Sequence, residues 1–189
     1  MVWEWTQLAL LVANLAWTTF CLGGYRAETM VASSALTGAL FAVHLAGWAG
    51  GWSASSSTRL NATKFHPAGW LFVPFVIYAA VNVARISPVP WIGWRDWLGW
   101  VQMIAVFWVV LNGVRSRATR ATLGWSLVAI GFAAVLLACY QRFVQPDWLA
   151  MGRTQADQFL GRASGPFGIP NSLAALLLLL LPPMIGRAF

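Results

Sequence analysis

The amino-acid sequence predicts an all-α protein, a polytopic transmembrane bundle of about six helices. Apolar residues make up 59% of the 189 residues, and charged residues make up only 9%. A soluble domain carries about 25% charged residues, so this chain has too little charge to cover a water-soluble surface. The apolar residues also fall in blocks of about 20, which is the length that a helix needs to cross the hydrocarbon core of a bilayer.

Six apolar segments follow one another along the chain, separated by polar connections. The first begins after Met-Val-Trp-Glu-Trp, which lacks the basic region of a cleaved signal peptide, so we expect a permanent helix there. Pro74 lies inside the third segment and is expected to bend it. Pro88 and Pro90 predict a loop between the third and fourth segments, at 85–96. The six segments cover about 6–24, 29–52, 68–84, 97–114, 123–140 and 171–189.

These segments suggest three regions. Residues 1–140 form a predicted five-helix transmembrane region, 141–170 a long connecting loop with an Arg/Gly/Pro motif, and 171–189 a sixth helix. The sixth segment barely completes one crossing and meets Pro182-Pro183 near its end. We therefore expect the chain to be the front part of a larger protein.

The basic residues indicate sidedness rather than nucleic-acid binding. The formal charge is +7, but the twelve Lys and Arg residues are dispersed among the connections, where membrane proteins keep them. With the N-terminus inside, the inner and outer connections carry six each, so the count does not decide the orientation. The acid-free connection with Arg115, Arg117 and Arg120 is the best cytoplasmic marker. It favours a cytoplasmic N-terminus and an outward-facing loop at 141–170.

Thirteen tryptophans are many for a chain of this length, and most lie at the ends of apolar segments. Trp91, Trp94, Trp97 and Trp100 recur at every third residue and would form a slanting stripe on a helix. Anchoring at the membrane interface is the favoured interpretation. A stacking platform for a sugar or a lipid is the alternative.

The thiols and imidazoles predict no metal site and no cofactor. Cys21 and Cys139 lie in or at apolar segments, where a cysteine behaves as a small packing residue, and they offer no ligand spacing. His44 lies in the middle of the second segment and is expected to be a buried packing or hydrogen-bonding residue. His66 lies in the Ser-rich connection at 53–67, which the favoured orientation places in the cytoplasm.

The segment from Gly161 to Asn171 carries the most chemical information. Its glycines, among them Gly165, allow tight turns and close approach to a ligand, and Asn171 is predicted to cap the sixth helix. A helix start favours an anion, and the guanidinium of Arg162 suits phosphate oxygens. Together these residues predict an anion site at the membrane surface. A capped loop whose arginine only contacts lipid headgroups is the alternative.

Two further arginines could join the predicted anion site. Arg142 and Arg153 lie in the same long connection as Arg162. Equally, they could form ion pairs with Asp147 and Asp157, or extend to lipid headgroups.

The same segment resembles the O-antigen ligase superfamily, which includes the O-antigen polymerases. Those proteins carry an Arg, a Ser-Gly, an aromatic residue, a Gly and a Pro-Asn just before a Leu-rich helix. The match in this chain covers about 25 residues, and Ile169 stands where the family often has Asn. The residues that match in order are Arg162, Ser164, Gly165, Phe167, Gly168, Pro170, Asn171 and Leu173.

The resemblance implies a membrane enzyme of glycan transfer in the bacterial inner membrane. Such enzymes move a glycan from undecaprenyl pyrophosphate to an acceptor on the periplasmic face, by an inverting reaction without a metal. Arg162, Ser164, Gly165 and Asn171 would bind the carrier pyrophosphate, with Arg142 and Arg153 as accessory residues. Residues 171–189 would begin the family's conserved region.

The resemblance also implies that this chain alone is inactive. The family's acceptor-activating histidine belongs to a second half that the chain does not contain, and neither His44 nor His66 can replace it. We therefore assign no catalytic residue here, and we expect a missing half or partner chain, membrane lipid and the lipid-linked glycan as partners. A non-enzymatic membrane subunit or transporter component is the alternative.

Overall fold

A computed structural model describes residues 2–21, 23, 26–49 and 66–188 of the chain. The predicted fold class is confirmed: within this part the protein is all-α, with six α-helices. One short β-hairpin interrupts the pattern between the fifth and sixth helices. The helices are α1 (Val2–Phe20), α2 (Ala27–Ala49), α3 (Val73–Arg85), α4 (Pro90–Gly113), α5 (Arg117–Phe143) and α6 (Pro170–Ala188), and the strands are β1 (Trp148–Leu149) and β2 (Arg153–Thr154).

Three of the described helical segments are long and apolar enough to cross a membrane. They are Glu28–Ala49, Pro67–Arg85 and Arg117–Phe143. The second of these is almost entirely exposed, with only 6% of its apolar window buried inside the chain. Apolar side chains that no protein surface covers are expected where lipid is the solvent. The length, apolar composition and exposure of these helices therefore indicate a membrane protein.

The chain divides into two compact units. Unit 1 comprises Met1–Leu11 and Leu36–Arg115, and unit 2 comprises Val12–Ala35 and Ser116–Phe189. The helices α1 and α2 each contribute residues to both units, because two of the three division points lie within them.

Unit 1 contains the helical hairpin of α3 and α4, and here the predicted loop at 85–96 is wrong. Helix α4 begins at Pro90, seven residues before the predicted start, so only Ile86–Val89 separates the two helices. Proline suits the first helical position, because that position needs no amide donor. The tryptophans from Trp91 to Trp100 therefore lie on a helix.

Aromatic contacts hold this hairpin together. The indole of Trp97 donates to the Val76 carbonyl at 3.0 Å, and the rings of Phe75 and Trp100 meet edge to face at 5.4 Å. Pro74 does not lie in the middle of a helix, where the sequence predicts a bend. It occupies the first turn of α3, where a proline is tolerated, and a 3₁₀ turn over Pro67–Phe72 precedes the helix.

Polar side chains inside unit 1 bind one another. His44 is buried, as predicted, and its Nδ1 lies 3.1 Å from Oε1 of Gln7. The side chain of Asn112 accepts from the backbone of His66 at 3.0 Å and donates to the Trp108 carbonyl at 2.9 Å. These bonds satisfy groups that would otherwise be costly to bury.

Unit 2 is built on α5 and α6. Helix α5 begins at Arg117, six residues before the predicted start, because Ser116 caps it by accepting from the Thr119 amide. Helix α6 begins at Pro170 and continues through Pro182 and Pro183, which a helix in a membrane tolerates. The two helices pack through a small apolar cluster that also receives Phe20 and Phe167, and its buried members are Ala134, Ala138 and Leu173.

Candidate functional site

The candidate site lies in the connection between α5 and α6, which the sequence predicts as a loop over 141–170. The structure shortens that loop, because α5 continues to Phe143. The chain then forms the hairpin of β1 and β2, whose tip holds Met151 and Gly152 at positive φ. Two 3₁₀ turns follow, at Asp157–Phe159 and Gly165–Phe167, before α6 begins.

A single buried glutamine fixes this loop to the end of α5. Gln141 is fully buried, and its Oε1 accepts from the Ser164 amide at 2.7 Å and from the Gly165 amide at 2.9 Å. The Ser164 hydroxyl also lies 3.1 Å from this oxygen, and it shares its single proton between Gln141 and Gln155. Its Nε2 donates to the Trp148 carbonyl at 2.9 Å. One side chain therefore joins the hairpin and the motif to the last turns of the helix.

Ser164 and Gly165 are the inner part of the predicted anion site. Both are buried, and both backbone amides donate to Gln141. Gly165 has φ +55°, and a Cβ there would lie 3.2 Å from the Ala134 carbonyl oxygen, so the position requires glycine. The geometry corrects the predicted role of these two residues: they support the loop, and their amides are not turned toward a ligand.

Gln155 completes the polar cluster behind the motif. It is buried, its amide donates to the Asp147 carbonyl at 2.7 Å, and its Oε1 lies 3.1 Å from the Ser164 hydroxyl. Gln155 lies just after strand β2, so this bond ties the hairpin to the segment that carries Arg162.

Arg162 is the exposed part of the site. Its backbone amide donates to the Phe159 carbonyl at 3.0 Å, which closes a turn. Its side chain is exposed, and within the described part of the chain its guanidinium has neither a hydrogen-bond acceptor nor an ionic partner. The guanidinium of Arg162 is therefore exposed on a loop that Gln141 holds in place, two residues before Ser164.

Asn171 does not cap the sixth helix, contrary to the prediction. Helix α6 begins one residue earlier, at Pro170, and the carbonyl of Ile169 accepts from the amides of Ser172 and Leu173. Proline is favoured at the first helical position, which moves the cap to the residue before it. The Asn171 side chain is exposed in the first turn, where the unpaired amides of a helix lie.

The two accessory arginines differ in their surroundings. Arg153 donates to Oε1 of Glu28 at 2.6 Å, whereas the guanidinium of Arg142 lies over the Phe143 ring, 6.0 Å from its centroid. The alternative pairing with Asp147 and Asp157 is not formed among the described residues. The partner of Arg153 comes instead from the first turn of α2.

The ion pair between Glu28 and Arg153 also bears on sidedness. Two groups in contact outside the bilayer lie on the same face of a membrane, so an even number of crossings separates them. Three helical segments between them meet the criteria for a span, and three crossings would place the two residues on opposite faces. Helix α4, which is 24 residues or about 36 Å long, is a further described helix between them with the length of a crossing.

The positive-inside rule favours a cytoplasmic position for the connection that holds Arg117, at the start of α5. Because α5 is long and apolar enough to cross a membrane, this charge bias favours an outward position for the loop at its other end, which holds Arg153 and Arg162.

Sequence reasoning missed the residues that organise the site: Gln141, Gln155 and Glu28. For Gln141 a signal existed, because Ala134, Ala138 and Gln141 recur at helical spacing on one face of α5. A polar residue that continues a face of small apolar residues is expected to be buried and hydrogen-bonded. Glu28 gave no such signal, since its partner Arg153 is 125 residues away.

Comparison with known proteins gave no relative: no protein-family model, no curated protein and no solved structure matches the chain. The resemblance to the O-antigen ligase superfamily therefore depends on the residues from Arg162 to Leu173 themselves.

Proposed function

We propose that this chain is the N-terminal part of a bacterial membrane glycan transferase of the O-antigen ligase kind. In this proposal it binds the pyrophosphate of an undecaprenyl-linked glycan at the periplasmic face of the inner membrane. Arg162 is the residue that holds the pyrophosphate, and Asn171 lies beside it in sequence on the first turn of α6. The activation of the acceptor belongs to another part of the protein or to a partner chain.

One observation carries the proposal: an exposed arginine without a partner among the described residues, on a loop that the buried Gln141 holds in place. Because Gln141 already holds the loop in place, less ordering is needed when Arg162 binds an anion, and the guanidinium can form two charge-assisted hydrogen bonds with it. The motif around it resembles the family's own, and the acid-free connection with Arg115, Arg117 and Arg120 supports an outward orientation of the loop.

The chemistry follows from the charge of the leaving group. When the glycan is transferred, the bond between the sugar and the lipid pyrophosphate breaks, and negative charge grows on the departing phosphate oxygen. A guanidinium that binds two oxygens in a fork stabilises this charge and fixes the lipid's orientation.

The binding step can be tested on the purified chain in lipid nanodiscs. We expect native mass spectrometry to detect undecaprenyl pyrophosphate bound in preference to undecaprenyl monophosphate. Arg162→Ala should weaken this binding at least about tenfold, because a charge-assisted hydrogen bond contributes about 1.5–3 kcal/mol. Arg162→Lys should restore only part of it, since an ammonium group cannot form the bidentate fork.

Arg117→Ala is the matched control. Arg117 is exposed at the start of α5, on the face opposite the loop, so its removal takes away one positive charge without touching the site. The control variant should bind the lipid like the wild type. Equal binding by wild type and Arg162→Ala would refute the proposal and favour the non-enzymatic membrane subunit.

A second test addresses glycan transfer itself. Where the reading frame continues beyond codon 189, Arg162→Lys in the complete protein should lose most of its transfer activity while its level in the membrane is unchanged. Unimpaired transfer would remove Arg162 from the mechanism.

A further inference from the structure

Two arginines from distant parts of unit 2 converge on one carboxylate oxygen. Oε1 of Glu28 lies 2.6 Å from Nη2 of Arg153 and 3.2 Å from Nε of Arg26. Because both nitrogens contact the same oxygen, they are no more than about 6 Å apart. The connection between α1 and α2 and the hairpin of β1 and β2 therefore share one charged contact.

This contact has more positive charge than negative. Two guanidinium groups face a single carboxylate, so the cluster keeps a net charge of +1. The three side chains are between 35% and 45% exposed, and an ion pair at that exposure is weak because water screens it. An anion with more oxygens and a higher charge can displace a carboxylate from such a pair at little cost.

The cluster is connected to the site through one hydrogen bond. Arg153 lies two residues before Gln155, and Arg162 lies two residues before Ser164. The bond of 3.1 Å between Gln155 and Ser164 joins these two segments. Arg153 and Arg162 therefore lie on segments that this hydrogen bond holds next to each other.

We propose that Glu28 is the resident counterion of Arg153 and Arg26, and that the diphosphate of a lipid headgroup displaces it. This inference rests on the proposed function, to which it adds the residues for the second phosphate. In the free protein Glu28 holds the two arginines together. When the lipid binds at Arg162, its second phosphate replaces the Glu28 carboxylate on Arg153 and Arg26.

The test is a comparison of affinities for undecaprenyl pyrophosphate in nanodiscs. Glu28→Gln removes the competing charge with little change of shape, so we expect it to tighten binding roughly three- to fivefold. Arg153→Ala should weaken binding about tenfold. In the double variant the gain from Glu28→Gln should shrink, because Arg153 is absent and only Arg26 remains to be freed from the carboxylate. An increase in affinity cannot arise from misfolding.

Glu4→Gln provides the matched control. Glu4 also lies in the first turn of a helix, and it accepts from the Arg115 amide in unit 1. Its substitution changes the net charge by the same amount, so it reports any general attraction of the lipid to a more positive protein. We expect no change in affinity from Glu4→Gln.

The outcomes separate this inference from the proposed function. If Glu28→Gln leaves the affinity unchanged, or tightens it no more than Glu4→Gln does, the counterion role is refuted while the effect of Arg162→Ala can still stand. If Glu28→Gln tightens binding of undecaprenyl monophosphate and phosphatidylglycerol equally, the cluster binds any phosphate headgroup and the role for a diphosphate is refuted. If the wild type does not bind the pyrophosphate lipid, both fail.

Discussion

Replacing Gln141 by leucine removes the contact that holds the motif to α5 while keeping a side chain of similar size. The Ser164 and Gly165 amides lose the Gln141 oxygen as their acceptor, and the Trp148 carbonyl loses the Gln141 amide as its donor. The Ser164 hydroxyl keeps a partner, since it can donate to Gln155. The substitution therefore leaves two buried amides unpaired.

The expected cost can be worked out from these two amides. A buried donor without an acceptor costs about 1–3 kcal/mol, so two such donors cost about 2–6 kcal/mol. Because about 1.4 kcal/mol corresponds to a tenfold change in an equilibrium, opening of the loop should become at least about 30-fold more frequent. Loss of the bond to Trp148 adds to this effect.

Hydrogen–deuterium exchange in nanodiscs measures this opening. In Gln141→Leu, the peptide spanning 160–168 should exchange at least about 30-fold faster, whereas peptides from α3 and α4 in unit 1 should be unchanged. Gln158→Leu is the control, because Gln158 is exposed in the same loop. An exchange rate within threefold of the wild type would show that Gln141 does not hold the motif.

Other substitutions test the packing and the caps. Gly165→Ala should destabilise the protein by about 1–3 kcal/mol in thermal unfolding, because its φ is positive and its surroundings are tight, whereas Gly99→Ala, in open space on α4, should cost nothing. Ser116→Ala should lower stability by about 0.5–2 kcal/mol through loss of the α5 cap, and a threonine there should largely restore it. Trp97→Phe should cost about 0.5–1.5 kcal/mol, because the hydrogen bond from the indole to the Val76 carbonyl is lost; an unchanged melting temperature would contradict that bond.

The sequence predicts the helices better than their ends. Long apolar blocks reveal that a helix exists, because the bilayer dictates their length. They do not reveal where it starts. Helix α4 starts at Pro90 and α5 at Arg117, both in stretches that look like polar loops. The residues at the helix starts determine these boundaries. Pro90 occupies the first position of α4, and Ser116 caps α5 by accepting from the Thr119 amide.

The candidate site is predictable only in part, for a physical reason. Exposed Arg162 could be recognised from its local motif, because glycine and proline spacing is visible in the sequence. The contacts that hold the motif are not local: Gln141 binds residues 23 and 24 positions away, and Glu28 binds Arg153 at 125 positions. Local patterns carry no information on such pairs. Local patterns also predicted that Ser164 and Gly165 bind the ligand, whereas both residues are buried and hold the loop to α5.

The most direct test of the central claim is to locate the lipid diphosphate on the protein. A prenyl pyrophosphate with a photoreactive group beside the phosphates would be crosslinked to the chain in nanodiscs, and the adducts would be mapped by mass spectrometry. We expect adducts within 153–171 that an excess of undecaprenyl pyrophosphate, but not phosphatidylglycerol, suppresses. Adducts at 114–120, or spread evenly along the apolar helices, would contradict the claim that the outer loop binds the diphosphate.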